Sequence, residues 1–348
     1  MAVEVQGKLG RMLIGGQWVE AADGRHLDVE NPANHSVIGS VPRGGAEDVD
    51  RAVKAAAASF PAWRRTAPRE RGRLLSRIGE DLQAEVEEMA RIVASETGNA
   101  IRTQSRPEAN SSADVFRYFG GIASEMKGET IPLGENILNY NLREPIGVVG
   151  GIIPWNSPIL LGALKIAMAL VTGNTLVLKA AEDAPLGVLR MVEVCHRHLP
   201  PGVLNLVTGY GEEAGAALVA HPLVMKLSFT GSTEVGKLVA QSGGSRIVPV
   251  SLELGGKSPA IVYPDSDDDR VADGVISGMR FTRQGQSCTA GSRLFLHDSI
   301  FDSFMEKLTG KLAKLKVGDP LDEATDMGAI INRKQFDKVC SYIEDGLK

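Results

Sequence analysis

Three cysteines stand far apart in the chain, and their surroundings differ in ways that bear on reactivity. Cys288 lies in TRQGQSCTAGSR, a polar, glycine-containing stretch between an expected helix and an expected strand. A cysteine attacks as the thiolate, so it needs access and a neighbour that favours the anion. Loop context gives Cys288 access and leaves a nucleophile and a plain surface cysteine both open. Cys195, in MVEVCHRHL, has the apolar neighbours of a structural cysteine, and Cys340 falls in an expected helix. No CxxC pair occurs, so neither a disulfide framework nor a redox pair is read, and a reducing compartment, the cytoplasm, fits.

Other residues could supply acid, base or hydrogen-bond donor. SLELGGKSP puts Glu253 at the end of an apolar run and before two glycines, where a carboxylate is either solvated at a sheet edge or at work in a cleft. Asn156 follows IGVVGGIIPW; an amide there can cap the next helix or donate to a developing oxyanion. In FTGSTEVGK, Gly231 and Gly236 bracket a strand-to-helix turn whose free N–H groups could face a phosphate, or simply pack strand on helix. That segment nearly fits GxxxxGK[ST], but Leu238 follows Lys237, so the magnesium-binding hydroxyl of a P-loop is missing, and it also fails GxGxxG. His196 and His198 form an HxH pair within a helix, where i and i+2 diverge, which argues against a metal site.

These residues need a frame. Residues 45–127 read as helices, among them PRERGRLLSRIGEDLQAEVEEMARIVASETG, with Leu74, Leu75, Ile78, Leu82 and Val86 at helical spacing and Gly98 as a stop. The basic RERGR run at 69–73 reads as one solvated helix face. Residues 128–144 alternate like an exposed strand pair. From Pro145 the chain alternates strand and helix: IGVVGGIIP, TLVLKA, VLNLVTG, KLSFTG and IVPVSLEL are strands separated by helices. That alternation argues for an α/β fold with a parallel sheet. Ligands of such sheets sit at the carboxyl ends of strands, where Trp155, Asn156, Lys179, Gly231, Ser232 and Glu253 fall. A second α/β unit follows from Gly256. The apolar stretch Pro158–Leu178 is interrupted by Lys165 and by Thr172-Gly173-Asn174-Thr175, so it reads as helix plus strand rather than a membrane span of ~20 residues.

Taken together and in order, PWN (154–156), LKAAE (178–182), FTGSTEVG (229–236), ELGGKSP (253–259) and GQSCTAGSR (285–293) resemble the aldehyde dehydrogenase superfamily, and the likeness extends to FPAWR and to Asn31-Pro32-Ala33. The resemblance implies a Rossmann-like NAD-binding domain (1–127 and 145–255), an oligomerisation arm (128–144) and a catalytic domain (256–348), incomplete here because members usually run further. It implies Cys288 as nucleophile, Glu253 as general base, and the Asn156 amide with the Cys288 N–H as oxyanion hole. Lys179 and Glu182 would hold the adenosine ribose, the carboxylate favouring NAD over NADP. Gly231 and Ser232 would face the pyrophosphate. Gly211, Phe229 and Val235 would surround the adenine, and Ile153, Pro154, Trp155 and Leu254 the nicotinamide. The reaction implied is oxidation of an aldehyde to a carboxylic acid through a thiohemiacetal and a thioester, in a homodimer or homotetramer. Glu253 argues against a CoA-acylating relative. Two positions depart from the common pattern: Ala180, where many members carry proline, and Arg283, where many carry asparagine.

Composition limits the alternatives. The chain has 348 residues, 43% of them apolar and 23% charged, which allows about two domains. A net charge of −5 without a dense basic run argues against nucleic acid. The opening MAVEVQGKLGRMLIGGQW lacks the pattern of a secretory signal. A second reading is an inactive truncated fragment or interaction module. On that reading the bare chain is expected to be poorly soluble and without turnover, because unpaired strand edges invite aggregation.

Overall fold

The structure, a computed structural model, describes residues 10–348. The reading of the chain start as free of a secretory signal rests partly on residues 1–9, which lie outside the described residues.

Five apolar runs from the alternating region form parallel strands of one seven-stranded sheet, in the order Val250–Glu253, Val224–Thr230, Val148–Ile152, Thr175–Lys179 and Leu204–Val207. Such strands can be apolar throughout because both faces are covered. In Thr175–Lys179, Leu176 and Leu178 enter one core while Val177 enters the other. The first core lies under the helices Pro68–Ala84, Val86–Thr97, Arg106–Gly121, Pro158–Val171 and Leu186–His196. The second lies under Ala46–Trp63, Ala216–Ala220 and Thr233–Arg246. The strand that comes first in the alternating region, Val148–Ile152, sits in the middle of the five. The crossovers therefore reverse direction between it and Val224–Thr230, and the loops leaving these two carboxyl ends diverge to open a crevice.

The sheet also takes in two strands not expected from the sequence. Met12–Ile14 pairs antiparallel with Leu204–Val207, and Gln17–Val19 pairs back on Met12–Ile14. The turn between them is held by the Asn205 side chain, which accepts the Gly15 N–H at 2.8 Å.

The first helix runs through Pro61 to Trp63, because proline in a last turn costs only one helical hydrogen bond. The helical region differs from expectation in two places. The long periodic stretch is two helices divided at Glu85, the second ending on Gly98 in the left-handed region, φ 74°. The RERGR run is not wholly solvated: Arg71 is buried, donating through Nε to the Val171 carbonyl at 2.9 Å.

Residues Thr130–Pro132 and Leu138–Tyr140 form an antiparallel hairpin with Ile131, Leu138 and Tyr140 exposed. Beyond the main sheet, Ser258–Val262 and Gly291–Leu296 pair in parallel, and helices Asp269–Met279 and Phe301–Leu312 pack on them around Val262, Ala272, Phe304 and Leu308. The strand of residues 291–296 leads back to the loop that carries Cys288.

Candidate active site

A cleft of ≈ 250 Å³ opens at the crevice between the diverging loops. Pro154, Trp155, Asn156, Gly231, Ser232, Glu253, Leu254 and Cys288 line it, from four separate segments of the chain. The three groups read as catalytic therefore meet at one place.

Asn156 stands in the turn between strand Val148–Ile152 and helix Pro158–Val171. Ile153 prolongs the strand's pairing by donating its N–H to the Lys179 carbonyl at 3.2 Å. Asn156 does not cap the helix; the cap position is Ser157. Its Nδ2 instead donates to the Gln286 carbonyl at 2.7 Å, two residues before Cys288. An amide nitrogen carries two hydrogens, so a second donor remains on a residue that lines the cleft.

Cys288 is exposed. Its loop is shaped by a left-handed Gln284 (φ 52°) followed by Gly285 (φ 73°). Buried side chains pin the loop from behind. Gln284 Nε2 donates to the carbonyls of Gly98 and Ala329, both at 3.1 Å, and Gln286 Oε1 accepts the Ile331 N–H at 3.1 Å. Arg283 Nη1 donates to Ser157 Oγ at 2.6 Å. A loop held on three sides can present a side chain outward in a fixed place.

Glu253 ends its strand directly beside Thr230, and its carboxylate is on an exposed residue at the rim of the cleft. A group that sequence reasoning passed over lies behind it. Lys165, noted only as a break in an apolar run, is buried and donates from Nζ to Ser228 Oγ at 2.8 Å. Burial pushes its ammonium down to about 8, while the nearby Glu253 carboxylate pulls it upward. The signal available was that single charge inside an apolar helix.

The residues read as cofactor-binding lie along successive strand ends, but not all reach the cleft. Lys179 and Glu182 bond each other, Nζ to Oε2 at 2.7 Å, at the end of the adjacent strand. Gly211 starts a short π-helical turn beyond the next strand. Ile153 and Phe229 are buried beneath the surface, and Val235 is exposed in the first turn of helix Thr233–Arg246. That helix opens with Ser232 as cap, its Oγ accepting the Val235 N–H at 3.3 Å. A Cβ on Gly231 would stand 2.5 Å from the Phe229 ring, so the backbone there must stay bare. A bare turn at the N-terminus of a 14-residue helix suits a phosphate. Glu182 is the more exposed member of the Lys179–Glu182 pair, so one face of its carboxylate stays open to solvent. The residues present thus fit a dinucleotide. The two histidines of the HxH pair are used elsewhere: His198 contacts Asp81 at 2.8 Å and His196 meets the edge of Trp18.

Residues 18–348 match the model of the Aldehyde dehydrogenase family. The chain is 44% identical over 336 residues to the hydroxyisobutyraldehyde dehydrogenase of Mycolicibacterium austroafricanum, covering 96% of this chain and 66% of that protein. It is 43% identical to the phenylacetaldehyde dehydrogenase of Pseudomonas fluorescens, covering 97% of this chain and 69% of that one. Among solved structures, it is similar to an NAD+ complex of aldehyde dehydrogenase from Bacillus cereus, with a TM-score of 0.96 and 36% identity over 99% of this chain and 72% of that chain. The chain thus spans about two thirds of the length of the curated relatives it matches.

Proposed function

Since this chain belongs to the aldehyde dehydrogenase family, we propose that it serves the NAD-dependent oxidation of an aldehyde to a carboxylic acid, with Cys288 as nucleophile, Glu253 as base and Asn156 as oxyanion donor. The observation that carries the reading is the convergence of these three side chains on one cleft at the sheet's switch point.

The thiolate of Cys288 adds to the aldehyde carbon, and the carbonyl oxygen becomes an alkoxide. The free N–H of Asn156 and the Cys288 main-chain N–H stabilise that charge, each donor contributing roughly 3–4 kcal/mol in such sites. A bound nicotinamide supplies the acceptor for the hydride that leaves as the alkoxide reforms a carbonyl. What stays on Cys288 is a thioester. Glu253 takes a proton from water, the hydroxide attacks the thioester carbon, and the cysteine sulfur departs with its bonding pair. Buried Lys165 interacts electrostatically with Glu253, so below about pH 8 its positive charge favours the carboxylate form of the base.

NAD is the cofactor in this reading because the Glu182 carboxylate would repel a 2′-phosphate. Residues 1–127 and 145–255 act as the cofactor-binding domain and 256–348 as the catalytic domain. The exposed hairpin within 128–144 is the arm through which copies pair as a dimer or tetramer. The setting is cytoplasmic; among the described residues no helix is long and apolar enough to cross a membrane. The reading as an inactive fragment or interaction module is less well supported, because it gives no reason for three reactive groups to converge.

The test is Cys288→Ala, assayed for aldehyde-dependent NADH formation. Loss of turnover by at least roughly 10⁴-fold is expected. Retained turnover in the variant would remove the proposal.

A further inference from the structure

We infer that Arg283 is a positioning residue that sets the distance between the oxyanion donor and the nucleophile, by clamping the Cys288 loop to the Asn156 turn. The inference rests on the roles proposed for Asn156 and Cys288.

Arg283 is five residues before Cys288 and is only 9% exposed. Its Nη1 reaches out of the loop to Ser157 Oγ at 2.6 Å and to the Asn156 carbonyl at 3.3 Å. The Asn156 side chain makes the reciprocal contact, donating to the Gln286 carbonyl at 2.7 Å. Asn156 is thus held at both ends by the loop that carries the thiol: its backbone by Arg283, its side chain by Gln286. The one further bond to its carbonyl comes from Asn99 Nδ2 at 3.2 Å; since Gln284 bonds the adjacent Gly98 carbonyl, residues 98–99 make a second, indirect link between turn and loop, while Arg283 makes the direct one.

Glu108 lies near this buried guanidinium: burial raises its carboxyl to about 7, and the positive charge of Arg283 opposes that rise. Glu108 is 2% exposed, and its Oε1 accepts the N–H groups of Ile159 at 3.1 Å and Leu160 at 3.3 Å, in the first turn of the helix that follows Asn156. Its other oxygen has no hydrogen-bond partner, and the charge of Arg283 bears on it. Glu108 thereby anchors the start of the helix that follows the turn, within the electrostatic reach of the cation that clamps the loop. The bonded joint itself is between the Asn156 turn and the Cys288 loop. An asparagine at position 283 has neither the reach nor the charge for this joint.

The experiment compares wild type with Arg283→Lys, Arg283→Met and the double variant Glu108→Gln/Arg283→Met, which removes both buried charges so that folding does not depend on an unpaired carboxylate. Steady-state kinetics are read together with amide hydrogen exchange in the segments 153–161 and 281–290. In the Met variants kcat should fall by about 10- to 100-fold, the range for lost hydrogen bonds from a charged donor, with KM for NAD within about twofold of wild type. Lys should recover part of the loss. Exchange should rise in both segments together. A double variant that keeps kcat within about threefold, or unchanged exchange in 153–161, overturns the inference. A wild type that oxidises no aldehyde would instead overturn the proposed function, and the exchange measurement would still decide whether the clamp exists.

Discussion

The main-chain N–H of Gly231 donates to the carbonyl of Glu253 at 3.0 Å. The turn proposed to face the pyrophosphate and the proposed base therefore move as one piece. A methyl on Gly231 would stand 2.5 Å from the Phe229 ring, which is buried and cannot swing away freely. Gly231→Ala should weaken NAD binding by roughly tenfold or more, from overpacking of about 1–3 kcal/mol. Fluorescence titration with NAD measures it, and an unaltered Kd would count against the assignment of this turn.

Glu253 is proposed to act after the hydride has left. Glu253→Gln should then form the thioester but hydrolyse it slowly. Rapid mixing should show a burst of about one NADH per Cys288, followed by a steady rate lower by about 10²–10⁴-fold. Mass spectrometry should find the acyl group on Cys288. A slow first turnover without a burst would show that Glu253 acts earlier.

The Lys179–Glu182 pair makes a prediction about cofactor choice. Glu182→Gln removes the negative charge but keeps the size, and it frees Lys179 Nζ from its partner at 2.7 Å. The ratio of kcat/KM for NAD over NADP should fall by about tenfold, or ~1.4 kcal/mol. A ratio that does not move would place cofactor discrimination elsewhere.

Stability should depend on pH through Glu96. This carboxyl is fully buried and accepts the N–H groups of Leu186 at 2.6 Å and Gly187 at 3.0 Å. Burial raises it to about 8 against an ordinary value of 4.5, the two N–H groups opposing the rise. Between these values the folded state holds a proton that the unfolded state has released. The stability of the neutral form is complete below the ordinary value and is lost as pH climbs toward about 8. Glu96→Gln has no proton to lose. Its melting temperature relative to wild type should rise by several degrees from acid to mildly alkaline buffer, and parallel melting curves across that range would contradict it.

The alternating strands and helices were legible in the sequence because a parallel strand covered on both faces must be apolar along its length, as in VVGGI and TLVLK. The motif residues were legible for a related reason: they sit where strands end, and strand ends are marked by glycine, proline and a change to polar residues. What could not be read were pairings across long separations. Arg71 belongs to a charged run that looks solvated, yet its partner is the carbonyl of Val171, 100 positions away. Lys165 looked like an interruption, and only the sheet brings it to Ser228 and toward Glu253. Arg283 stood out as an unusual residue type, but its reach to Ser157 spans 126 positions. Gly211 and Val235 are placed outside the cleft lining, since strand-end position says which edge a residue shares, not how far along that edge it lies.

The hairpin of residues 12–19 closes a sheet whose nearest strand is made some 190 residues later, as the Gly15–Asn205 bond records. During synthesis an early apolar segment must therefore wait, unpaired, while most of the nucleotide-facing half emerges. Contacts so distant along the chain form slowly. Until they do, the Leu204–Val207 edge is open to a strand from another molecule. The pairing of residues 12–14 must wait for a strand made far later in the chain, and chaperone dependence of the newborn chain should concentrate in that interval.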